Sequence, residues 1–181
     1  MDLQSHFVRM AENNGWSNDR LHRAVLQLKP GEFELHRIGY FPSLKDTLNH
    51  ILAVDLLYLD FITEGGRGAR TIDEDFTPFE DRLALAAAQM RADHRLIDVC
   101  RRLSLEDLER RVDADREQDG MIPKRIGDLL MHLFLHQTHH RGQAHAMLSG
   151  SSVAPPQLDE FFLDYDLPHR QEEMHRLGFA P

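Results

Sequence analysis

Cysteine is almost missing from this sequence, because Cys100 stands alone among 181 residues. One thiol excludes an internal disulfide framework and a cysteine-rich zinc site, so we expect Cys100 to be a buried structural thiol. Long apolar runs are also missing, and none approaches the ~18–20 residues of a membrane-spanning helix. The first 16 residues carry an acid at position 2 and no apolar centre, so we predict no secretory signal, no membrane partner and a cytoplasmic protein.

Positive charge is scarce as well. The chain has 21 Lys and Arg residues against 30 Asp and Glu residues, which gives a net charge of −9. Proteins that bind nucleic acid gain affinity by neutralising phosphates, so an acidic chain without a basic stripe is a poor candidate for direct nucleic-acid binding.

Glycine and proline, at 11 and 8 residues, are too few for a disordered or fibrous chain. Apolar residues recur at helical spacing, and no segment shows the period-2 alternation of a half-buried strand. Gly65 to Phe76 is a predicted loop, residues 112–124 are predicted to be irregular with a small extended excursion, and short helices are predicted near the C-terminus. The four long helices are predicted over residues 3–28, from Ser43 to Gly65, from Thr77 onward and over about 125–148.

Four long helices with long connections favour an all-α protein built as a four-helix bundle. The length suits one domain. We therefore predict a single helical domain over residues 1–181, with the bundle in about 1–150 and an extension in about 151–181.

Histidine is abundant, with 12 residues, and five of them fall in the fourth helix. Histidines four residues apart lie one helical turn apart and can direct two imidazoles at one metal ion. Two such pairs share His136: His132 with His136, and His136 with His140. A third ligand must come from another helix, and His50 is the best candidate because it interrupts an apolar segment. The alternative is that these are hydrogen-bonded core histidines.

Several familiar metal and catalytic patterns are absent from the sequence. No H-E-x-x-H motif supplies the general base of a zinc protease. A di-iron carboxylate bundle needs two inward-facing Glu-x-x-His motifs, and the fourth helix contains no Glu. Helical rotation nominates two supporting residues, Gln143 in line with His136 and Asp46 one turn before His50, although the adjacent helix start favours Asp46 as a cap.

Three segments together resemble the DinB-like (DinB/YfiT) family of metalloproteins. They are FPSLKDTLNHILAVD around His50, HLFLHQTHHRGQ at residues 132–143, and the Asn14, Trp16, Asn18 pattern of the first helix. The resemblance implies an up-down-down-up bundle, a homodimer, and one divalent ion, nickel or zinc. It places the ligands at His50, His136 and His140, and leaves His132 and His139 outside the ligand set.

Three neutral nitrogen ligands leave at least one coordination position free, and such an open site activates a bound water or thiol. Relatives in the family include thiol S-transferases, so the resemblance implies a metal-dependent transferase that uses a low-molecular-weight thiol. Arg141 or Lys124 would then contact the thiol. Two alternatives remain: a non-catalytic metal-binding or stress-response protein, and a metal-dependent hydrolase with Asp46 as its base.

Overall fold

The computed structural model describes residues 2–115 and 119–179. Within these residues the chain is mostly helical, with one small antiparallel hairpin. A single 3₁₀ turn, Asp164–Asp166, precedes the last helix. The elements in chain order are α1 Leu3–Val25, α2 Leu44–Thr63, α3 Arg70–Asp73, α4 Arg82–Arg102, α5 Leu105–Glu109, β1 Arg111–Asp115, β2 Met121–Arg125, α6 Ile126–Leu148 and α7 Leu167–Leu177.

Side-chain caps fix where the long helices begin. The Asp2 carboxylate accepts from the backbone N–H of Ser5 at 2.7 Å and starts α1. The Ser43 hydroxyl accepts from the N–H of Asp46 at 3.1 Å and starts α2, as the sequence predicts. Such caps satisfy donors that have no partner inside the helix.

The predicted start of the third helix at Thr77 is wrong, because α4 begins at Arg82. Asp81 caps it by accepting from the N–H of Ala84 at 2.7 Å. The Asn49 side chain accepts from the N–H of Phe79 at 2.6 Å and donates to its carbonyl oxygen at 3.0 Å. Because these bonds occupy the Phe79 backbone, the segment before Asp81 stays outside the helix.

The order of cross-bundle contacts gives the direction of α1, α4 and α6. The start of α1 meets the end of α4, where the Gln4 amide donates to the carbonyl oxygen of Arg101. The end of α1 meets the start of α4, where Arg82 donates to the carbonyl oxygen of Val25. These two helices are therefore antiparallel. In contrast, α6 runs parallel to α1, since its earlier residues contact the start of α1 and its later residues contact the middle.

Helix α2 runs parallel to α4. Gln89 donates to Asp55 in the middle of α2, and Arg95, further along α4, donates to Thr63 at the end of α2. Taken in chain order, α1, α2, α4 and α6 therefore point up, down, down and up, which confirms the predicted bundle. The helices enclose an apolar core that includes the fully buried Trp16 and Leu21.

The connection between α4 and α6 contains the only strands among the described residues. β1 and β2 pair antiparallel, with Val112 opposite Lys124 and Asp115 opposite Met121. The sequence predicts only a small extended excursion here, and residues 116–118 at its tip lie outside the described part. Near the C-terminus, α7 carries Pro168 in its first turn and ends at Gly178 with a positive φ of 69°.

A candidate metal centre

Three histidines from two helices meet at one end of the bundle. His50 lies on α2, and His136 and His140 lie one turn apart on α6. Their ligand nitrogens all lie within 4.8 Å of one another, and the Nε2 atoms of His50 and His136 are 3.0 Å apart. His140 is buried, with 7% exposure, and the other two are half-buried. The group could hold a metal ion.

The antiparallel packing of α2 and α6 brings these histidines together. Thr47, near the start of α2, contacts Met147 near the end of α6, and Tyr58, further along α2, stacks on His132 at 5.4 Å between ring centroids. His50 lies between these two contacts, so it faces the later of the two histidine pairs. The packing therefore places His140, and not His132, beside His50 and His136. Spacing along the chain leaves this choice open.

Burial keeps the imidazoles neutral. Loss of water, with a smaller contribution from neighbouring histidines, lowers the pKa of His50 to about 4 and the pKa of His136 to about 3. Burial also lowers the pKa of His140, whereas the hydrogen bond that its Nδ1 donates to Gln143 raises it. A neutral imidazole offers the lone pair that a metal needs.

The donor set fits a shared divalent ion. Two nitrogens at about 2.0–2.1 Å from one ion, at angles of about 90–110°, lie about 2.9–3.4 Å apart, and the His50–His136 separation of 3.0 Å falls in that range. Without an ion, one of these two neutral rings must place a proton between the nitrogens. His136 Nδ1 is buried without a hydrogen-bond partner among the described residues, so Nε2 is the only nitrogen of that ring with a polar contact.

Gln143 contacts the site through His140. Its Oε1 lies 2.8 Å from His140 Nδ1, and its Nε2 lies 3.1 Å from His139 Nε2. A carbonyl oxygen only accepts, so the His140 Nδ1 carries the proton and the His140 Nε2 is left with its lone pair. Gln143 thus supports His140, three residues away, instead of the His136 with which helical rotation aligns it.

Asp46 caps its own helix. Its carboxylate accepts a 2.6 Å hydrogen bond from the Ser43 hydroxyl, and its backbone N–H donates back to that hydroxyl. These two reciprocal hydrogen bonds start α2. They also occupy an oxygen of the carboxylate that the sequence suggests as a general base. Among the described residues, the group of close potential ligands contains only the three histidines and no carboxylate.

Two aromatic residues from the connection between α1 and α2 form one rim of the site. The ring centroid of Phe41 lies 4.4 Å from that of His50, and the ring of Tyr40 lies 6.2 Å from His140. Tyr40 is 78% exposed, and Ile38 beside it is fully exposed. The approach to the histidines therefore carries apolar side chains that are open to solvent.

A buried polar network lies behind α6. Gln137 and Arg141 each follow a site histidine by one residue, so they turn about 100° away from it into the bundle. Arg141 donates to Asn14, to Asn18 at 3.1 Å and to Gln137 at 3.2 Å. Arg141 is only 6% exposed, so it is not available for its predicted role of contacting a thiol in the cleft.

The network continues to two buried carboxylates. Asn14 and Asn18 donate to Asp93 of α4 at 3.2 and 2.9 Å, while Gln137 and Gln89 donate to Asp55 of α2. All four long helices are joined by these bonds. Neither carboxylate was predicted from the sequence, although Asp55 stands inside an apolar run as His50 does, which was a usable indication.

Burial shifts the charges of this network. It raises the pKa of Asp93 to about 7, with the Asp55 charge adding to the effect, and raises the pKa of Asp55 to about 6. Burial lowers the pKa of Arg141 to about 10 against the opposing effect of both carboxylates. The positive charge of Arg141 therefore balances one of the two carboxylates, and Asp93 is the carboxylate that more readily stays protonated.

Other histidines lie outside the site. His132 and His139 are exposed, and His139 reaches His140 only through Gln143 and a ring contact at 4.9 Å. His22 is 5% exposed, and burial lowers its pKa to about 4, so it lies in the protein interior as a neutral residue. Cys100 is a free, buried thiol with a pKa raised by burial to about 12, as expected.

Comparison with known proteins identifies the family. The DinB family model matches residues 3–173, so the chain belongs to the DinB family. Protein DinB of Bacillus subtilis (strain 168) is 23% identical over 165 residues, a match that covers 83% of this chain and 89% of that protein.

A solved relative shares the fold. The crystal structure of a DinB-like protein (YjoA) from Bacillus subtilis matches with a TM-score of 0.60 at 16% identity, covering 81% of this chain and 96% of that chain. That identity is low enough for the likeness to show the fold alone. In the part of the chain that is described, no helix combines the length and apolar character needed to cross a membrane.

Proposed function

We propose that His50, His136 and His140 bind one divalent metal ion, nickel or zinc, and that the protein is a metal-dependent thiol S-transferase. The observation that carries the proposal is the cluster of three neutral imidazoles with no fourth ligand beside it among the described residues. When bound, the ion would supply a Lewis acid with an open position that lowers the pKa of a thiol held there.

A thiol is favoured over water because hydrolysis needs a general base near the attacking group. Asp46 is the carboxylate that the sequence nominates, and its oxygen is engaged by the Ser43 hydroxyl at 2.6 Å. Thiol transfer needs less help from the protein, since a thiol loses its proton far more readily than water.

The chain's own residues then have separate tasks. Gln143 orients His140, and Gln137 and Arg141 fix the rotation of α6 so that His136 and His140 face α2. Phe41 and Tyr40 shield one side of the site from water and contact the apolar part of an electrophilic substrate. Charged contacts to the thiol must come from residues other than Arg141, which is buried. We further propose that the protein acts as a homodimer in the cytoplasm.

The test is thiol consumption by the metal-loaded protein. Nickel- or zinc-loaded chain is mixed with bacillithiol, mycothiol or glutathione and a chromogenic aryl chloride, and free thiol is followed over time. We expect one thiol to be consumed faster than by the same protein after chelation. His136→Ala should abolish the difference, and His132→Ala, one turn away and exposed, should keep it.

Two results would replace the transferase proposal. Stoichiometric metal with no acceleration for any of the three thiols would make this a non-catalytic metal-binding protein. Metal-dependent cleavage of an activated ester without thiol would make it a hydrolase.

A further inference from the structure

A cavity that shares no residue with the histidine site lies between the first half of α1 and α7. Its volume is about 400 Å³. Apolar side chains form much of its wall, and among them Met174 and Phe179 are 7% and 4% exposed. The lining also includes Arg9, Glu12, Phe161, Leu167 and Arg170.

Two guanidinium groups face this apolar cavity. Arg170 is 8% exposed and lies over the Phe161 ring at 4.8 Å, and Arg9 lies over the Phe162 ring at 5.6 Å. Each also donates to a backbone carbonyl oxygen, Arg9 to Phe162 at 3.1 Å and Arg170 to Leu163 at 3.4 Å. Arg9 lies close enough for its charge to lower the pKa of Arg170. The two cations therefore repel each other at the cavity.

Neither arginine has a carboxylate within ion-pair distance among the described residues. Glu12 is the acid in the lining, and it bonds to Arg101 at 3.1 Å. The carboxylate charge of Asp166 raises the pKa of Arg170 by more than Arg9 lowers it, and Asp164 adds to this effect, so Arg170 is balanced without a direct ion pair. Because no carboxylate holds either guanidinium in an ion pair among the described residues, both keep N–H donors that a carboxylate entering the cavity could use.

We propose that this cavity binds a small amphiphilic carboxylate, with its head between Arg9 and Arg170 and its apolar chain against Met174 and Phe179. A carboxylate accepts paired hydrogen bonds from guanidinium groups, and the apolar wall favours an alkyl chain over a hydrophilic anion. The site is separate from the histidines and does not depend on the proposed reaction.

The molecule carries its own reporter for this site. Trp16 is the single tryptophan, and its ring lies 5.3 Å from that of Phe161, which lines the cavity. A ligand that moves Phe161 should therefore change the fluorescence of Trp16.

The experiment titrates the full-length protein with decanoate below its micelle concentration and follows Trp16 fluorescence, with calorimetry for stoichiometry. We expect saturable binding at one site per chain. Acetate lacks the chain and decan-1-ol lacks the charge, so both should bind at least about tenfold more weakly. Equal binding of decanol and decanoate, or no saturable binding of decanoate, would overturn the proposal.

Variants separate the site from non-specific binding. Arg9→Met and Arg170→Met should each weaken decanoate binding about tenfold. Arg176→Met is the matched control, because Arg176 lies on the same helix but pairs with Asp19 at 2.5 Å, and it should leave binding unchanged. If Arg170→Met unfolds the protein, Leu167→Glu replaces it in the test, because Leu167 is 45% exposed and the new carboxylate places a negative charge in the cavity wall. This variant should weaken the binding of decanoate and leave the binding of decanol unchanged. An unchanged affinity for decanoate would contradict the proposal.

Discussion

The Nε2 atoms of His50 and His136 lie 3.0 Å apart although 86 residues separate them in the chain. Burial leaves both rings neutral, with pKa values of about 4 and about 3. Two nitrogens with lone pairs at this distance need either a shared proton or a shared cation. His140, one turn beyond His136, adds the third nitrogen and favours the cation.

The two possible pairs on α6 can be separated by mutation. His140→Ala should weaken the affinity for nickel or zinc by more than about 100-fold, because it removes a ligand and not just a supporting group. His132→Ala should leave the affinity unchanged, since His132 stacks on Tyr58 away from the site. Competition with a chromogenic chelator measures both, and equal losses in the two variants would mean that the pair is assigned wrongly.

Gln143→Leu should weaken metal affinity about 10–100-fold while preserving the fold. The variant loses the acceptor for His140 Nδ1, so the ring can take the wrong tautomer or orientation. The absorption spectrum of the cobalt-loaded protein should shift with it, because that spectrum reports ligand geometry. Gln143→Glu keeps an acceptor and should restore the affinity. An unaltered affinity and spectrum in Gln143→Leu would exclude the positioning role.

The raised pKa of Asp93 predicts an unusual dependence of stability on pH. Its folded pKa of about 7 exceeds the ordinary value of 3.8, so between these values the folded chain holds a proton that the unfolded chain has released. The contribution of Asp93 to the free energy of unfolding should therefore fall as pH rises through this window and level off above it, whereas the buried histidines contribute with the opposite sign. Asp55 and Arg141 are the charged groups that act on Asp93, and His22, which lines a small cavity with it, is neutral.

Asp93→Asn tests this dependence. The amide oxygen still accepts from Asn14 and Asn18, but no proton is taken up. Chemical denaturation at pH 6.5 and pH 8 should show a change in the free energy of unfolding that is about 1 kcal/mol more negative in the wild type than in the variant. Histidines titrate in the same range, but they contribute equally to both proteins and cancel in the comparison. Identical changes in the two proteins would mean that Asp93 is ionised throughout.

Arg141→Met should destabilise the protein by about 3–5 kcal/mol, because it leaves the buried carboxylates without their cation. Arg91→Met, at an exposed position of α4, should change the free energy of unfolding by less than about 0.5 kcal/mol. Lowering the pH to protonate Asp55 and Asp93 should recover part of the lost stability. A mild effect in Arg141→Met would show that the amides alone satisfy the network.

The sequence predicts the helical bundle because its signals are local. Apolar spacing, the Ser43 cap and the glycines after α2 each act within a few residues. The pairing of His50 with His136 depends on how α2 packs on α6, which spacing does not specify, so the family resemblance was needed to choose the ligands. Likewise, the role of Asp93 depends on partners from three other helices, and no local pattern reports them.

The start of α4 shows a different limit. Thr77, Pro78 and Glu80 form a good local start for a helix. However, the side chain of Asn49 in α2 binds the Phe79 backbone, and Asp81 caps the helix instead. A tertiary contact therefore overrides a favourable local sequence. The aromatic rim at Tyr40 and Phe41 was missed for the same reason, since its place beside the histidines follows from tertiary packing.

The most direct test of the three-histidine site is the metal content of purified His50→Ala protein, measured by elemental analysis against the wild type under the same loading. His50 is the proposed ligand that comes from the opposite helix, so its loss breaks the cluster while leaving the α6 pair intact. We predict one nickel or zinc ion per wild-type chain and no stoichiometric metal in the variant. One ion per chain in folded His50→Ala protein would contradict the site.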